Sequence, residues 1–356
     1  MLALIMAGGV GARFWPRSRA DHPKQFLNII GSRTLLQETV HRVLPMVGYE
    51  RIFLVTGRRY YEKVKEQLPE LDPSHIILEP EMKNTAPCIG LSAAYLQKIA
   101  PGETMAVLPA DHLIADQKGF LHALSVADLI AQKHSSLITF GIVPTYPATG
   151  YGYIHQGQLK EVVEGVEVFK VEEFVEKPPQ EVAEGYLRSG TYLWNSGMFV
   201  WKISTIIRMF ELYLPEFYQG LEKLSPHLLT PAAEDKIAEL YSGATPISID
   251  YAVMEKAPQV LCVKGSFGWN DLGSWKSLEE LLPGDEEGNR PQGEFIHIDC
   301  RDNIIYSPDK LVAAIGVDNL VVVETDDVLL ICHKERAQEV KELIKRLRKE
   351  GKKGLL

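Results

Sequence analysis

Through residue 142 the chain alternates two hydrophobic rhythms. Short unbroken apolar runs at residues 2–7, 51–56, 75–79, 105–109 and 136–142 read as buried strands. Between them, apolar residues recur every three or four positions in residues 34–47, 60–68, 86–100 and 118–134, which read as helices. In the first of these Leu35, Leu36, Thr39, Val40, Val43 and Leu44 share helical spacing, and Pro87 suits the first turn of 86–100. Strands that are apolar throughout are covered on both faces, so the pattern predicts an α/β fold with a parallel sheet between helices. Ligands of such sheets bind beyond the carboxyl ends of strands. Gly8 and Asp111 each follow a strand end and belong to that rim.

The rhythm loosens over 145–280. Short strands are predicted near 166–173 and 198–203, and helices near 205–211 and 232–240. A polar, turn-rich stretch, Pro283-Gly284-Asp285-Glu286-Glu287-Gly288, marks a boundary. Beyond it come short β runs at 295–298, 304–306, 311–316, 320–324 and 328–332, the pattern of a small β domain. The expected division is therefore 1–284 and 285–356. The chain closes on a helix over 334–348, with Ala337, Val340, Leu343, Ile344 and Leu347 as its apolar stripe. That stripe suits packing on its own β domain, or contact with a second copy in a homodimer.

Composition narrows the class. With 356 residues the chain can bury one large core and a smaller one. A net charge of -9 argues against general affinity for nucleic acid or an anionic membrane. No run approaches ~20 apolar residues, and the short N-terminal run lacks the basic start of a signal peptide. Cys88, Cys262, Cys300 and Cys332 are scattered without a CxxC pair, which disfavours a zinc or redox motif and suits thiols in a reducing cytoplasm.

Against that acidic background, positive charge is concentrated early. Arg13, Arg17, Arg19 and Lys24 face one acid, Asp21, within residues 13–24. They follow a strand that ends in Gly8-Gly9-Val10-Gly11. Glycines let backbone N–H groups approach a phosphate, and Arg and Lys bring forked and point charge to the same anion. The spacing is neither a dinucleotide fingerprint, since Phe14 stands where a glycine is needed, nor a P-loop, since Arg13-Phe14 replaces Gly-Lys.

Other candidate groups read two ways from their residues alone. Asp111, past a strand in Leu108-Pro109-Ala110-Asp111-His112, suits either a hard cation or a helix cap. Asp271, in Phe267-Gly268-Trp269-Asn270-Asp271-Leu272-Gly273-Ser274-Trp275, suits a cation or an Asx-turn. Glu176-Lys177-Pro178 can bind a sugar hydroxyl and a phosphate, or be a solvated strand end. Asp250 suits a sugar hydroxyl or an N-cap. His112 and His155 are given no catalytic role.

Residues 8–26 resemble the signature of the sugar-nucleotide nucleotidyltransferases, which join a nucleoside triphosphate to a sugar 1-phosphate. Phe14-Trp15-Pro16-Arg17-Ser18-Arg19 and Pro23-Lys24-Gln25-Phe26-Leu27 are most similar to the branch that makes GDP-mannose. The likeness continues through residues 79–87, 108–112, 174–178, 194–199, 249–256 and 267–275. It implies a Rossmann-like mixed, mostly parallel sheet flanked by helices, with a small C-terminal β domain resembling a left-handed β-helix. The activity implied is guanylyl transfer from GTP to α-D-mannose 1-phosphate; glucose 1-phosphate with UTP or dTTP is the alternative pair. Since the attacking phosphate is already ionised, the chemistry calls for cations and positioning, not a base.

By the same resemblance Arg13 lies on the β and γ phosphates, Lys24 nearer the α-phosphate, and Lys177 on the sugar phosphate. Gly8, Gly9, Gly11, Glu79, Asn84, Thr85, Pro109 and Ala110 complete the nucleotide site; because the guanine edge presents two donors, the carboxylate of Glu79 is the candidate to read it. Gly152, Glu176, Asn195, Gly197 and Asp250 contact the sugar, and Asp111 and Asp271 hold Mg²⁺. Lys83 stands where the family often has Arg. Some relatives add a C-terminal cupin isomerase; too little chain follows the catalytic part here, so no isomerase activity is expected.

Overall fold

The computed structural model describes residues 1–9 and 11–356; Val10, inside the glycine run, lies outside the described residues. The chain forms two compact units. The first contains Met1–Gly8, Thr39–Ala110 and Ile114–Trp269, and the second Gly9–Glu38, Asp111–Leu113 and Asn270–Leu356. The chain thus leaves the first unit between Gly8 and Gly9, and again between Ala110 and Asp111. Both exits fall just past strands that the sequence pattern marks as ligand-facing ends.

Among the described residues, nine strands form the sheet of the first unit. They are β1 (Leu2–Met6), β2 (Ile52–Gly57), β3 (Ile76–Glu79), β4 (Thr104–Pro109), β5 (Leu137–Ile142), β6 (Gly152–Val163), β7 (Val166–Glu176), β8 (Tyr192–Lys202) and β9 (Val260–Gly265). Their order is β3-β2-β1-β4-β8-β5-β9-β7-β6. The pairs β1–β2, β1–β4, β2–β3 and β9–β5 are parallel, whereas β8 runs antiparallel between β4 and β5. The sheet is mixed with a parallel core, as the family resemblance implies. Every residue of β2 and of β5 is buried, which explains why these strands read as unbroken apolar runs.

Helices α1 (Leu35–Val47), α2 (Tyr61–Gln67), α3 (Thr85–Ile99) and α4 (Gln117–His134) fall where the periodicity puts them. At the start of α4 the Asp116 side chain accepts the Gly119 N–H at 3.0 Å. The looser middle holds more order than its pattern suggests. Beyond the strand pair β6–β7, it carries α5 (Gln180–Ser189), α6 (Ile203–Tyr213), α7 (Pro215–Leu224) and α8 (Ala233–Gly243). Phe199, Trp201, Ile206, Phe210, Leu221 and Tyr241 join one core with Leu4, Val55 and Val107 from the first strands.

The second unit stacks short parallel strands. β10 (Arg290–Gln292) pairs with β12 (Ile304–Tyr306), which pairs with β14 (Leu320–Glu324); β11 (Phe295–Ile298) pairs with β13 (Val312–Ile315). β15 (Leu329–His333) closes the stack antiparallel to β14. Successive parallel strands in register make a β-coil, and buried asparagines line its turns. Asn303 Nδ2 donates to Asn289 Oδ1 at 2.9 Å and to the Val317 carbonyl at 2.9 Å. A 3₁₀ turn (Lys334–Glu339) leads into α9 (Val340–Lys349). Ala337, Val340 and Ile344 are buried with Ile304, Val321, Leu330, Phe14, Trp15 and Trp275. The terminal stripe therefore packs within its own unit, on both the β-coil and the start of the chain. Trp15 Nε1 donates to the Leu355 carbonyl at 2.7 Å, and Trp275 Nε1 to the Trp15 carbonyl at 3.1 Å.

Candidate functional site

Three distant stretches of the second unit line one cavity of about 130 Å³. Gly11, Arg13 and Lys24 come from the signature segment, Asp111 and His112 from the excursion after β4, and Asp271 with Gly273 from the tryptophan-rich loop. Gly11 adopts φ 64°, and a Cβ there would run into the Lys24 stem, so only glycine allows the two strands of this wall to meet. Arg13 sits in the short 3₁₀ turn Ala12–Phe14 that follows.

Lys24 is 4% exposed, and a buried ammonium requires compensation. Its Nζ donates to Asp111 Oδ2 at 3.0 Å and to the Asp271 main-chain carbonyl at 2.7 Å. Burial alone would raise the Asp111 carboxyl, but Lys24 and His112 beside it outweigh that and hold it below the usual carboxylate range. Two bonds near this wall are made by neighbouring residues. The helix after Asp111 is capped by Asp116, and the Asx-type bond in the tryptophan loop is made by Asn270, whose Oδ1 accepts the Leu272 N–H at 2.8 Å. Neither Asp111 nor Asp271 serves in those bonds. Two carboxylates on a wall without cysteine form a hard oxygen donor set, which fits a divalent cation that keeps water and phosphate ligands.

In the first unit the sugar-directed residues also converge. Gly152 on β6 lies opposite Glu176 on β7, and a Cβ at 152 would collide with the Glu176 carboxylate. Lys177, at φ 49°, turns its ammonium onto Glu176. Asn195 on β8 donates from Nδ2 to Asp250 Oδ1 at 2.7 Å, while its Oδ1 accepts from Thr139 Oγ1 and from the Gly197 N–H, each at 3.2 Å. Burial, with Glu176 nearby, pushes the Asp250 carboxyl up to about 6. Asp250 is thus bonded to a strand side chain and not used as a cap. The sequence reading missed an aromatic group beside this cluster: the Tyr151 ring lies 5.0 Å from that of Trp194 and 5.2 Å from that of Trp269. The neighbouring Gly150-Tyr151-Gly152-Tyr153 run was its only signal.

Of the residues that the resemblance assigns to the nucleotide, Glu79 is buried and Asn84 exposed. Glu79 ends β3 at 3% exposure, and its Oε1 accepts the Tyr241 hydroxyl at 2.9 Å. Burial pushes its carboxyl up to about 7 against hydrogen bonds from Tyr241 and Cys88. Tyr241 and Cys88 carry no sequence signal beyond ordinary core residues. Asn84, at φ 70°, accepts the Thr85 N–H at 2.8 Å, and Thr85 Oγ1 accepts the Ile249 N–H at 2.8 Å. Both side chains hold the start of α3 and the segment leading to Asp250. Pro109 ends β4, and the Ala110 N–H reaches the Met6 carbonyl at 2.9 Å, close to Gly8 in the chain. Gly9 is exposed and outside the lining of the 130 Å³ cavity.

A phosphate-sized cavity with two cations and two carboxylates, in a chain built on a largely parallel sheet, defines a polyphosphate-handling enzyme. The chain belongs to the nucleotidyl transferase family, whose model matches residues 2–288. A second model, MannoseP isomerase/GMP-like beta-helix domain, matches residues 293–347. The chain is 41% identical over 353 residues to mannose-1-phosphate guanylyltransferase RfbM of Salmonella typhimurium, covering 98% of this chain and 72% of that protein. It is 38% identical over 356 residues to mannose-1-phosphate guanylyltransferase 2 of Escherichia coli O157:H7, covering 98% and 73%. A crystal structure described as mannose-1-phosphate geranyltransferase from Thermus thermophilus superposes with a TM-score of 0.87 at 36% identity, covering 98% of this chain and 99% of that one.

Proposed function

We propose that this chain transfers a guanylyl group from GTP to α-D-mannose 1-phosphate, giving GDP-mannose and pyrophosphate. What carries the reading is that Arg13, Lys24, Asp111 and Asp271 line one cavity, in a chain 41% identical to a mannose-1-phosphate guanylyltransferase. A phosphate oxygen of the sugar attacks the α-phosphorus in line. The bond from that phosphorus to the bridging β-phosphate oxygen breaks, and pyrophosphate leaves with the electron pair. No proton needs to move at the attacking oxygen.

Arg13 forks across the β and γ phosphates and holds the leaving group. Lys24 brings its ammonium to the α-phosphate, where charge is exchanged during attack. Asp111 and Asp271 would hold Mg²⁺, which draws negative charge from the phosphate oxygens when bound. Lys177 pairs with the sugar phosphate. Glu176, Asn195 and Asp250 accept or donate to mannose hydroxyls, with Gly152 and Gly197 allowing close approach. Glu79 reads the guanine edge, and Gly8, Gly9, Gly11, Asn84, Thr85, Pro109 and Ala110 shape the nucleotide site.

In this scheme residues 1–284 carry the catalysis and 285–356 form the supporting β domain. Cys88, Cys262, Cys300 and Cys332 form no disulfide, which fits a cytoplasmic enzyme. Among the described residues, no helix is long and apolar enough to cross a membrane. A homodimer is part of this reading, to be checked by sedimentation. The activity test is pyrophosphate release with Mg²⁺ over a grid of sugar 1-phosphates and nucleoside triphosphates. GTP with mannose 1-phosphate should dominate. Preference for glucose 1-phosphate with UTP or dTTP would replace this reading, and silence with every pair would end it.

A further inference from the structure

The buried group around Glu79 contains more chemistry than reading a base requires. One carboxylate oxygen, Oε1, is anchored by the hydroxyl of Tyr241, which is completely buried on α8. Cys88, in the first turn of α3, acts on the same carboxyl and counters its rise. The second oxygen, Oε2, turns toward Gly8: a Cβ built there would sit 3.8 Å from it. Tyr241 and Cys88 are the titratable groups whose interactions move Glu79, and neither carries a charge at neutral pH.

We propose that Tyr241, with Cys88 beside it, is a positioning residue for base selection, holding Glu79 as a carboxylate whose second oxygen is aimed past Gly8 at the donor edge of guanine. This rests on the reading of Glu79 as the residue that meets the base. The guanine edge offers two donors, N1–H and the 2-amino group, and a carboxylate only accepts. Adenine offers an acceptor at N1, which a carboxylate repels but a protonated carboxyl can satisfy. Discrimination between the two purines therefore depends on keeping the proton off Glu79. A donated hydrogen bond stabilises the ionised form, and burial opposes it. The two donors from Tyr241 and Cys88 keep this balance near neutrality.

The test compares wild type, Tyr241→Phe and Glu79→Gln in steady-state kinetics with GTP, ITP and ATP, at saturating mannose 1-phosphate from pH 6 to 9. In wild type the KM for GTP should fall as pH rises through about 7. Tyr241→Phe keeps the ring but loses the donor, so that midpoint should move to higher pH. At pH 7 its KM for GTP should rise about tenfold with kcat within about twofold, and the preference for GTP over ATP should shrink. Glu79→Gln should abolish the pH step and narrow the gap between GTP and ITP. If Glu79→Gln changes none of these, the base-reading role of Glu79 falls and this proposal with it. If Glu79→Gln changes them and Tyr241→Phe lowers only the melting temperature, Tyr241 is structural and this proposal alone is overturned. Should Tyr241→Phe fail to fold, Cys88→Ala removes the other donor and must shift the same midpoint upward; an unmoved midpoint overturns the proposal.

Discussion

Asp111 and Asp250 are both acids in functional clusters, yet their surroundings push them in opposite directions. Asp111 shares its cavity with an almost buried lysine and a histidine, and its carboxyl lies below the usual range. Asp250 faces the neutral amide of Asn195 and the carboxylate of Glu176, and its carboxyl rises to about 6. Glu79, among a tyrosine and a thiol, rises to about 7. Burial acts on all three; Lys24 and His112 outweigh it at Asp111, whereas Lys177 does not outweigh it at Asp250 and Glu79 has only neutral donors. On the proposed roles, the acid assigned to the metal is the one whose neighbouring positive charge prevails over burial. The acids proposed to read hydroxyls or a base edge lie where burial prevails, and their carboxyls are pushed up.

The comparison breaks first if Asp111 and Asp271 are not metal-holding carboxylates. Asp111→Asn and Asp271→Asn keep side-chain volume and remove the charge. Each should lower turnover about a thousandfold and displace the Mg²⁺ activation curve to higher concentration. A variant with near-normal turnover and an unmoved curve would dissolve the distinction. Lys24→Ala removes the compensating cation and should lower kcat about a hundredfold with the fold retained, read as pyrophosphate release beside a circular-dichroism spectrum.

Asp250→Asn probes the other side of the comparison. The folded-state value lies above the ordinary carboxylate value, so the native protein holds this proton more tightly than the unfolded chain. The associated stability is present at low pH and is lost as pH climbs from about 4 to about 6. At pH 8 the variant no longer buries that charge. It should be more stable than wild type by about 1–2 kcal/mol in urea titration, while its KM for mannose 1-phosphate rises several-fold. A loss of stability at pH 8 would mean that the Asn195 bond outweighs the burial of the charge.

These clusters were unevenly legible in the chain. The parallel strands could be read because burial on both faces makes them continuous apolar runs, as in β2 and β5. Of the β6–β7 hairpin only the second strand was read, near 166–173; in β6 polar residues such as Gln156, Lys160 and Glu161 interrupt any run. Helix α7 began at a readable signal, Pro215, inside a stretch too irregular to suggest it. Arg13 and Lys24 stood out as dense positive charge after a glycine run, whereas Asp111 and Asp271 each read two ways and were singled out by the family resemblance. Their convergence was expected from the resemblance alone; in the fold, Trp15 and Trp275 pack in one core beside the stretches that carry them. Tyr241 was invisible, because its role arises only from a partner brought to it by folding.

The smallest expected effect sharpens the comparison most. If the proposed metal-side acids stay ionised throughout and the proposed recognition acids titrate at about 6 to 7, pH should act on KM and leave kcat nearly alone. With both substrates saturating, kcat should vary less than about twofold from roughly pH 6.5 to 8.5. Over the same range the KM for GTP should fall, following Glu79, while the KM for mannose 1-phosphate should rise only below about 6, following Asp250. Mannose 1-phosphate itself takes up a proton near that pH, so the acid limb has two sources. Asp250→Asn separates them, because the limb due to the substrate persists in the variant and the limb due to Asp250 vanishes. A kcat that falls steeply between pH 8 and 7 in wild type would place a titrating group in the chemical step, and the division between ionised and titrating acids would no longer follow the presence of Lys24.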